Sequence, residues 1–287
     1  MNHESGKIIT IFAALLLAVV AFTPITAKKA PVENEFAAIL PQEPALDAHA
    51  YSIKIIGEKK PLAKRREWKR LAPASLTKLM TAVIASEIIR ADSPIVFSEE
   101  VKKAEPKSSD AGVGEKFWRD DAIRFALIES ANDAALALAE TVGQDIFIAK
   151  MNEKARALGL QNSNFENPTG LDEAQHLSTA EDLALLAEYI TDTHQELWEI
   201  TRIIETEIFS ADGRAHKAKN TNELLQEFPA ITGGKTGFTD NAKGALIFLY
   251  PVRPGKTAVI VLLGSSDRFG DGRKIIKWLE TISWNPS

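Results

Sequence analysis

Ser75 and Lys78, three positions apart, have the types and spacing needed for nucleophilic catalysis. Apolar residues recur at intervals of three and four after Ser75, which predicts a helix that begins at the serine and ends near Arg90. This spacing places the hydroxyl and the amine on one helical face, within hydrogen-bond reach. The positive helix N-terminus and burial both favour the neutral amine, which can accept the serine proton. Ser-x-x-Lys alone is a weak signal, because it arises by chance about once in a chain of this size, and its simpler interpretation is a capped helix start.

Two more polar segments lie where the predicted elements are interrupted. Ser130-Ala-Asn132 separates two predicted helices and offers a hydroxyl and an amide on a short connection. Lys235-Thr-Gly237 lies in a strand-like segment, where lysine supplies positive charge, threonine supplies a hydroxyl, and glycines let a substrate backbone approach the strand edge. The ordered set of three segments is a much stronger signal than one serine-lysine pair alone.

Composition excludes several other chemistries. The chain has 287 residues, no cysteine and five histidines, so thiol nucleophiles and cysteine-based zinc or iron–sulfur sites are ruled out. His-Glu-x-x-His spacing and a Gly-x-Ser-x-Gly elbow are both absent from the sequence, and we predict no metal and no cofactor. Gly234-Lys-Thr236 does not form a phosphate loop, because Pro229 stands where that motif needs a glycine. A net charge of −5, from 34 basic and 39 acidic residues, argues against a nucleic-acid partner.

The N-terminal region carries an apolar run from Ile8 to Phe22 that contains no charge and follows Lys7. This run suits the core of a signal peptide better than a full membrane span, and the small residue Ala27 is suited to precede a cleavage site. We predict that residues 1–27 are a signal peptide or an N-terminal membrane anchor. The rest of the chain would then be exported, to the periplasm or to the outer face of the cytoplasmic membrane. Residues 28–46, with three prolines among acidic and small residues, predict a linker.

Strands are predicted for the two ends of the remaining chain and helices for its middle. The predicted strands are 51–56, 203–209, 244–252 and 257–264. The predicted helices after the one at Ser75 are 121–129, 133–141, 145–158, 179–190 and a closing helix at 273–282. A capping box, Ser178-x-x-Glu181, is expected to open the helix at 179. The pattern predicts an α+β fold of three layers (α/β/α), with an antiparallel sheet formed from both chain ends and packed against the central helical region, in a single domain over residues 47–287.

A basic stretch, Lys64-Arg65-Arg66, follows the first predicted strand. It is most simply a solvated surface, and contact with an anionic membrane or wall polymer is the alternative. The sequence does not decide between the two.

The three catalytic motifs are similar to those of the penicillin-recognising serine enzymes. The chain resembles, in particular, the low-molecular-mass penicillin-binding proteins of the D-alanyl-D-alanine carboxypeptidase family, and the likeness extends from about residue 46 to residue 283. The segments that carry it, in family order, are Pro73-Ala-Ser-Leu-Thr-Lys-Leu-Met-Thr81, Ser130-Ala-Asn-Asp-Ala-Ala135, Asn167-Pro-Thr-Gly-Leu171 with Leu177-Ser-Thr-Ala180, Asn220-Thr-Asn222 and Gly234-Lys-Thr-Gly-Phe-Thr-Asp240. The resemblance implies a β-lactamase/transpeptidase-like fold.

The resemblance also implies a role for each motif residue. Ser75 would be the nucleophile that forms an acyl-enzyme, Lys78 its general base, and Ser130 the relay of a proton to the leaving amine. The backbone N–H groups of Ser75 and Phe238 would form the oxyanion hole. The implied substrate-binding residues are Asn132, Lys235, Thr236, Gly237, Phe238 and Arg273, with Arg268 as a competitor for the role of Arg273.

The implied reaction removes terminal D-alanine from peptidoglycan stem peptides that end in D-Ala-D-Ala, and β-lactams are the expected acylating inhibitors. A D,D-endopeptidase that cuts cross-links is the first alternative. The chain ends at Ser287, soon after the closing helix, and we expect neither the extra β-rich domain nor the C-terminal amphipathic anchor that many carboxypeptidases of this family carry; the carboxypeptidase remains the preferred expectation. A β-lactamase is less well supported, because Glu166 begins Glu-Asn-Pro-Thr-Gly rather than the Glu-x-x-Leu-Asn of that class. A non-catalytic, wall-binding homologue is the remaining alternative.

Overall fold

The computed structural model describes residues 41–103, 105–106 and 109–284. The predicted export segment, residues 1–27, and residues 28–40 of the predicted linker lie outside the described residues, so this division of the chain stays a prediction. The described strands are β1 (Ala50–Ile55), β2 (Ala63–Arg65), β3 (Pro94–Val96), β4 (Lys116–Trp118), β5 (Glu205–Phe209), β6 (Ala215–Lys219), β7 (Gly233–Thr239), β8 (Lys243–Arg253) and β9 (Lys256–Ser265). The described α-helices are α1 (Thr77–Ile88), α2 (Arg119–Arg124), α3 (Asn132–Glu140), α4 (Gln144–Ala157), α5 (Ala180–Thr193), α6 (Gln195–Thr201), α7 (Leu224–Glu227) and α8 (Arg268–Thr281).

One five-stranded sheet organises the molecule. Its strands lie in the order β2-β1-β9-β8-β7, and every neighbouring pair is antiparallel. Strands β1 and β2 come from the N-terminal side of the chain and the other three strands from the C-terminal side. The pairing of β1 with β9 joins these two parts into one sheet. This arrangement confirms the predicted α+β fold with a sheet built from both chain ends. Strand β7 lies at one edge, so no strand of this sheet pairs with its outer side.

Both faces of the sheet are buried, which accounts for the nearly continuous apolar runs of β8 and β9. Successive side chains of a strand point to opposite faces. Along β8 the residues that face the central helices are Ala245, Ile247 and Leu249, and those that face the C-terminal helix are Leu246, Phe248 and Tyr250. Helix α8 covers the second face with Ile275, Ile276 and Leu279. The sheet is therefore the middle of three layers.

Helix α5 is held against β1 by a buried ion cluster as well as by apolar packing. Lys54 on β1 lies 3.2 Å from a carboxylate oxygen of Glu181 and 3.1 Å from one of Glu188, both on α5. Ser52 donates to the other oxygen of Glu181 at 2.9 Å. Glu181 therefore does not close the predicted capping box. Thr179 caps α5 instead, and its Oγ1 accepts a hydrogen bond from the Asp182 N–H at 3.0 Å.

Four other elements differ from the sequence prediction. Strand β6 and helix α6 were not expected, because β6 alternates polar and small residues and α6 directly follows α5 with only His194 between them. The predicted helix 121–129 is α-helical only to Arg124, and a π-helical turn covers Phe125–Glu129. The closing helix begins at Arg268, because Asp267 caps it by accepting a hydrogen bond from the Gly270 N–H at 2.8 Å. Among the helices in the described part of the chain, none combines the length and apolarity needed to cross a membrane.

Candidate active site

Ser75 lies in a tight turn that leads into α1. A 3₁₀ turn covers Ala74–Leu76, and α1 begins at Thr77. Ala74 has a φ of 49°, in the left-handed region that non-glycine residues rarely adopt and that is common at functional sites. Lys78 follows one turn later, and its Nζ lies 3.0 Å from Ser75 Oγ. The structure therefore brings the predicted serine-lysine pair into hydrogen-bond contact.

The Lys78 amine is fully buried and faces two carbonyl oxygens. Its Nζ donates to Asn132 Oδ1 at 2.7 Å and to the backbone oxygen of Thr169 at 2.6 Å. A neutral amine has two N–H bonds and one lone pair, so when the two carbonyls accept the N–H bonds, the lone pair is directed at Ser75 Oγ. Burial favours the neutral form of an amine. The arrangement is suited to remove the hydroxyl proton of Ser75.

A second serine-lysine pair stands on the other side of the serine turn. Lys235 on β7, itself buried, donates to Ser130 Oγ at 2.8 Å and to the backbone oxygen of Thr236 at 3.0 Å. Ser130 directly follows the π-helical turn and has a left-handed backbone, with φ 66° and ψ 31°. Such π-helical turns occur frequently at functional sites. Because the Ser130 oxygen accepts from Lys235, its own O–H remains to donate a proton.

Strand β7 passes directly beside the serine turn at Gly237. A Cβ atom on Gly237 would lie 2.8 Å from Ala74 Cβ and 2.9 Å from the Ser75 backbone nitrogen, closer than real Cβ atoms approach other groups. Only glycine therefore allows this approach without a shift of the backbone. The contact places the edge of β7, including Phe238, next to the Ser75 backbone N–H, as a two-donor oxyanion site requires.

The loop 167–171 is built to present one carbonyl to Lys78. Asn167 Oδ1 accepts hydrogen bonds from the Thr169 N–H, the Thr169 hydroxyl and the Gly170 N–H, and Asn167 Nδ2 donates to the Leu171 oxygen. Gly170 has a φ of 86°, and a Cβ there would overlap the Ala74 carbonyl. The loop therefore packs against the serine turn and fixes the Thr169 oxygen that accepts from Lys78.

A buried histidine links this loop to α1. His176 Nε2 lies 2.8 Å from Thr77 Oγ1, and His176 Nδ1 accepts from the Glu166 N–H at 3.0 Å. Because Nδ1 accepts, the neutral ring carries its proton on Nε2 and donates to Thr77. Burial lowers the pKa of His176 to about 4, so the neutral ring persists at neutral pH.

A cavity of about 490 Å³ connects these groups, and Ser75 and Ser130 both line it. Its wall includes Ser75, Ser130, Asn132, Thr236, Gly237 and Phe238. Lys78 and Lys235 lie behind their serines and are reached through them. The predicted residues therefore converge on one cavity, with the exception of the predicted arginine.

Arg268, and not Arg273, lies at the cavity. Arg273 is on the outer side of α8, where its guanidinium makes two hydrogen bonds to the Glu227 carboxylate at 2.7 and 2.5 Å. The expected placement of Arg273 in the site is therefore wrong, because α8 starts five residues earlier than predicted and its first residue faces the cavity. Arg268 lines the same cavity as Thr221 and Thr236. Burial lowers the pKa of Arg268, and its guanidinium packs over the Phe269 ring at 4.5 Å.

Sequence reasoning missed the residues that contribute through backbone position or through a neighbour. Thr221 Oγ1 lies 2.6 Å from Thr236 Oγ1, and the Thr169 carbonyl binds Lys78. Asp172 accepts from the Thr239 hydroxyl at 2.6 Å, and both line the cavity. The family-like segments around residues 167 and 220 were the available signal for the first two, but they carried no assigned chemistry.

Comparison with known proteins identifies one peptidase family. The family described as peptidase S11, D-alanyl-D-alanine carboxypeptidase, matches residues 38–266. The chain is 32% identical over 229 residues to the D-alanyl-D-alanine carboxypeptidase DacF of Bacillus subtilis, and this match covers 77% of this chain and 58% of DacF. It is 33% identical over 219 residues to a D-alanyl-D-alanine endopeptidase of Pseudomonas aeruginosa, over 72% of this chain and 69% of that protein.

Solved structures resemble the fold over most of the chain. A penicillin-binding protein homologue from Mycobacterium tuberculosis superimposes with a TM-score of 0.77 at 27% identity, over 83% of this chain and 93% of that one. The Streptomyces K15 DD-transpeptidase superimposes with a TM-score of 0.77 at 25% identity, over 83% of this chain and 99% of that one. The family match spans well over half of the chain. The chain belongs to the D-alanyl-D-alanine carboxypeptidase family of serine peptidases, peptidase family S11.

Proposed function

We propose that this protein is a serine-type carboxypeptidase that removes the terminal D-alanine from peptidoglycan stem peptides ending in D-Ala-D-Ala. The observation that carries the proposal is the 3.0 Å contact between Ser75 Oγ and the buried Lys78 amine at the wall of the cavity. Family membership supports the same conclusion.

The first half of the reaction forms an ester on Ser75. Lys78 accepts the hydroxyl proton, and Ser75 Oγ attacks the carbonyl carbon of the penultimate D-alanine. The backbone N–H groups of Ser75 and Phe238 bind the oxyanion that develops on that carbonyl. When the C–N bond breaks, Ser130 passes its proton to the leaving nitrogen and takes up the proton held by Lys78, which leaves the Lys78 amine neutral, while Lys235 stabilises the Ser130 oxygen during the transfer. D-alanine then departs.

The second half restores the enzyme. A water molecule attacks the ester carbonyl, its proton passes to Lys78, and the bond to Ser75 Oγ breaks with return of a proton to the hydroxyl. The shortened peptide leaves with a new carboxylate. These steps need no metal and no organic cofactor.

Substrate recognition follows from the charges and donors in the cavity wall. The terminal carboxylate binds the hydroxyls of Thr236 and Thr221 and the guanidinium of Arg268, which line the same cavity. Asn132 directs Oδ1 at Lys78, so its Nδ2 is left for a substrate carbonyl. β-Lactams, which carry a strained amide and a carboxylate, are expected to acylate Ser75 in place of the peptide.

The proposed substrate sets the location of the enzyme. Peptidoglycan lies outside the cytoplasmic membrane, so the catalytic residues act in the periplasm or at the outer face of that membrane. Residues 1–27 are the segment that would direct the export or attach the chain to the membrane.

Endopeptidase action on cross-linked peptides is the second candidate. It is favoured by the Pseudomonas aeruginosa relative, which is named as a D-alanyl-D-alanine endopeptidase. A β-lactamase is disfavoured by Glu166, which is exposed and accepts from the Gln175 N–H at 2.7 Å rather than lining the cavity. No general base for rapid hydrolysis of a penicilloyl ester is therefore supplied at that position.

Two substrates and two variants test the proposal. D-Alanine release from a soluble pentapeptide is measured beside cleavage of a cross-linked dimer, for the wild type, Ser75→Ala and Lys78→Ala. The proposal predicts release from the pentapeptide by the wild type, faster than dimer cleavage, and loss of release in both variants. Preferential dimer cleavage establishes the endopeptidase instead, and undiminished release by Ser75→Ala rejects the mechanism.

A further inference from the structure

A strongly basic surface segment begins at the end of β2 and leads toward the serine turn. Residues 64–70, here called the basic loop, read Lys-Arg-Arg-Glu-Trp-Lys-Arg and contain five cations and one carboxylate, in a chain whose net charge is −5. The charge of this loop is therefore opposite to that of the whole chain, as is common for a surface that meets an anionic partner.

The first cations of the basic loop are used within the protein. Arg65 donates to the backbone oxygens of Leu46 and Ala48 and packs over the Tyr51 ring at 5.2 Å. Lys64 lies 2.6 Å from Glu67. These contacts fix the loop on the sheet and neutralise its one carboxylate.

The other end of the loop points into solvent. Lys69 and Arg70 are exposed, and neither has an ion-pair partner among the described residues. Trp68, between the neutralised part and these two cations, is 54% exposed. An exposed indole beside exposed cations matches the headgroup region of a lipid bilayer, where tryptophan is enriched and anionic lipids attract lysine and arginine.

The loop also lies next to the segment that leads to the apolar N-terminal run. Arg65 holds residues 46 and 48, close to where the described chain begins at residue 41. The uncharged stretch Ile8–Phe22 lies upstream of that point. Residues 1–27, predicted above to be a signal peptide or membrane anchor, therefore precede in sequence the segment that the basic loop contacts.

We infer that the basic loop docks on the surface of an anionic lipid membrane, with Trp68 in the headgroup region and Lys69 and Arg70 on lipid phosphates. The inference concerns a surface outside the active-site cavity and does not depend on the proposed activity. Trp68 precedes Ser75 by seven residues, so an extended chain would place the two at most about 25 Å apart. Docking therefore holds the catalytic cavity close to the membrane.

Site-specific quenching of tryptophan emission tests the inference on the full chain. The protein is reconstituted in vesicles of brominated phosphatidylcholine with or without phosphatidylglycerol, because bromine quenches an indole in contact with the acyl region. Five tryptophans contribute to emission, so the wild type is compared with Trp68→Phe and with a matched control, Trp118→Phe, which removes an indole that is 44% exposed on β4. This readout is local and does not depend on whether the N-terminal segment attaches the chain to every vesicle.

We expect quenching in vesicles that contain phosphatidylglycerol, its loss in Trp68→Phe and its retention in Trp118→Phe. Replacing both Lys69 and Arg70 with Gln lowers the docking constant on the order of 25-fold, since each cation near an anionic surface contributes about a fivefold factor. Unchanged quenching in Trp68→Phe, or equal quenching without phosphatidylglycerol, overturns the inference. It also fails if a soluble poly(glycerol phosphate) shifts the Trp68 emission while the vesicles do not, because the partner is then an anionic polymer. Thermal unfolding of each variant establishes that the substitutions leave the fold intact.

Discussion

Replacing Gly237 with Ala is expected to disable the oxyanion site while leaving the fold in place. The added Cβ would lie 2.8 Å from Ala74 Cβ and 2.9 Å from the Ser75 nitrogen. Non-bonded carbon atoms are most stable about 3.5–4.0 Å apart, so the two backbones must separate by roughly 0.7 Å or more. Ala74 is fully buried and packed, and β7 is an edge strand, so the strand yields more readily than the turn.

The separation moves the Phe238 N–H away from the position of the substrate oxyanion. Loss of one oxyanion donor lowers catalytic rates by about 10²- to 10³-fold, and a misplacement near 1 Å has an effect of about 10²-fold. We therefore expect the rate of acylation by a penicillin to fall about 10²-fold in Gly237→Ala. The edge position of β7 limits the loss of stability to about 1–3 kcal/mol, the usual range for overpacking.

The assay follows acylation by a fluorescent penicillin at concentrations well below saturation, with thermal unfolding measured in parallel. Gly112→Ala is the matched control, because its Cβ would meet no atom closer than 3.4 Å and the residue lies outside the cavity wall. The control is expected to acylate at the wild-type rate. If Gly237→Ala acylates within about threefold of the wild type, the contact between β7 and the serine turn does not set the catalytic geometry, and the reasoning is refuted.

Three further predictions concern charge. Arg268→Gln should lower kcat/KM for D-alanine release about 10- to 100-fold by removing a charge-assisted bond to the substrate carboxylate. Arg273→Gln should change kcat/KM less than about twofold, because the surface ion pair of Arg273 lies outside the cavity. Equal effects of the two substitutions would contradict the assignment of carboxylate binding to Arg268. His176 is buried with a pKa of about 4, below its ordinary value of 6.5, so the unfolded chain binds more protons between those values and stability falls as the pH drops from about 6.5 to about 4, by about 3 kcal/mol for this group. The free energy of unfolding, measured with denaturant at each pH in that range, should depend less steeply on pH in His176→Gln than in the wild type. The same pH dependence in both proteins would contradict the low pKa assigned to His176. Lys54→Met should lower the free energy of unfolding by about 3–5 kcal/mol, because it leaves two carboxylates uncompensated in a largely buried site. Lys150→Met removes one partner of an exposed ion pair and should lower it by less than about 1 kcal/mol. Similar losses in the two variants would show that burial of the Lys54 cluster does not set its contribution to stability.

The local part of the site was predictable from the sequence because it depends on local geometry. Ser75 and Lys78 are one helical turn apart, so their contact follows from the periodicity that predicts α1. The sheet was likewise predictable, since β-branched apolar runs at both ends of the chain have one economical way to bury both faces.

The long-range part was not predictable by the same means. The Thr169 carbonyl that binds Lys78 is a backbone atom, so no side-chain pattern reveals it. Thr77 and His176 are 99 positions apart and meet only through the fold. The choice between Arg268 and Arg273 depended on where α8 begins. Five residues rotate the side-chain direction by about 140°, so only one of the two faces the cavity.

The most direct test of a Ser75 acyl-enzyme is the mass of the protein after exposure to a penicillin. Cleavage after Arg70 and Lys78 yields the peptide 71–78, in which Ser75 is the single serine. A Ser75 acyl-enzyme predicts one penicilloyl adduct per chain, located on this peptide in the wild type and absent from Ser75→Ala. An adduct on a different peptide, or one that persists in Ser75→Ala, would show that another residue is the nucleophile.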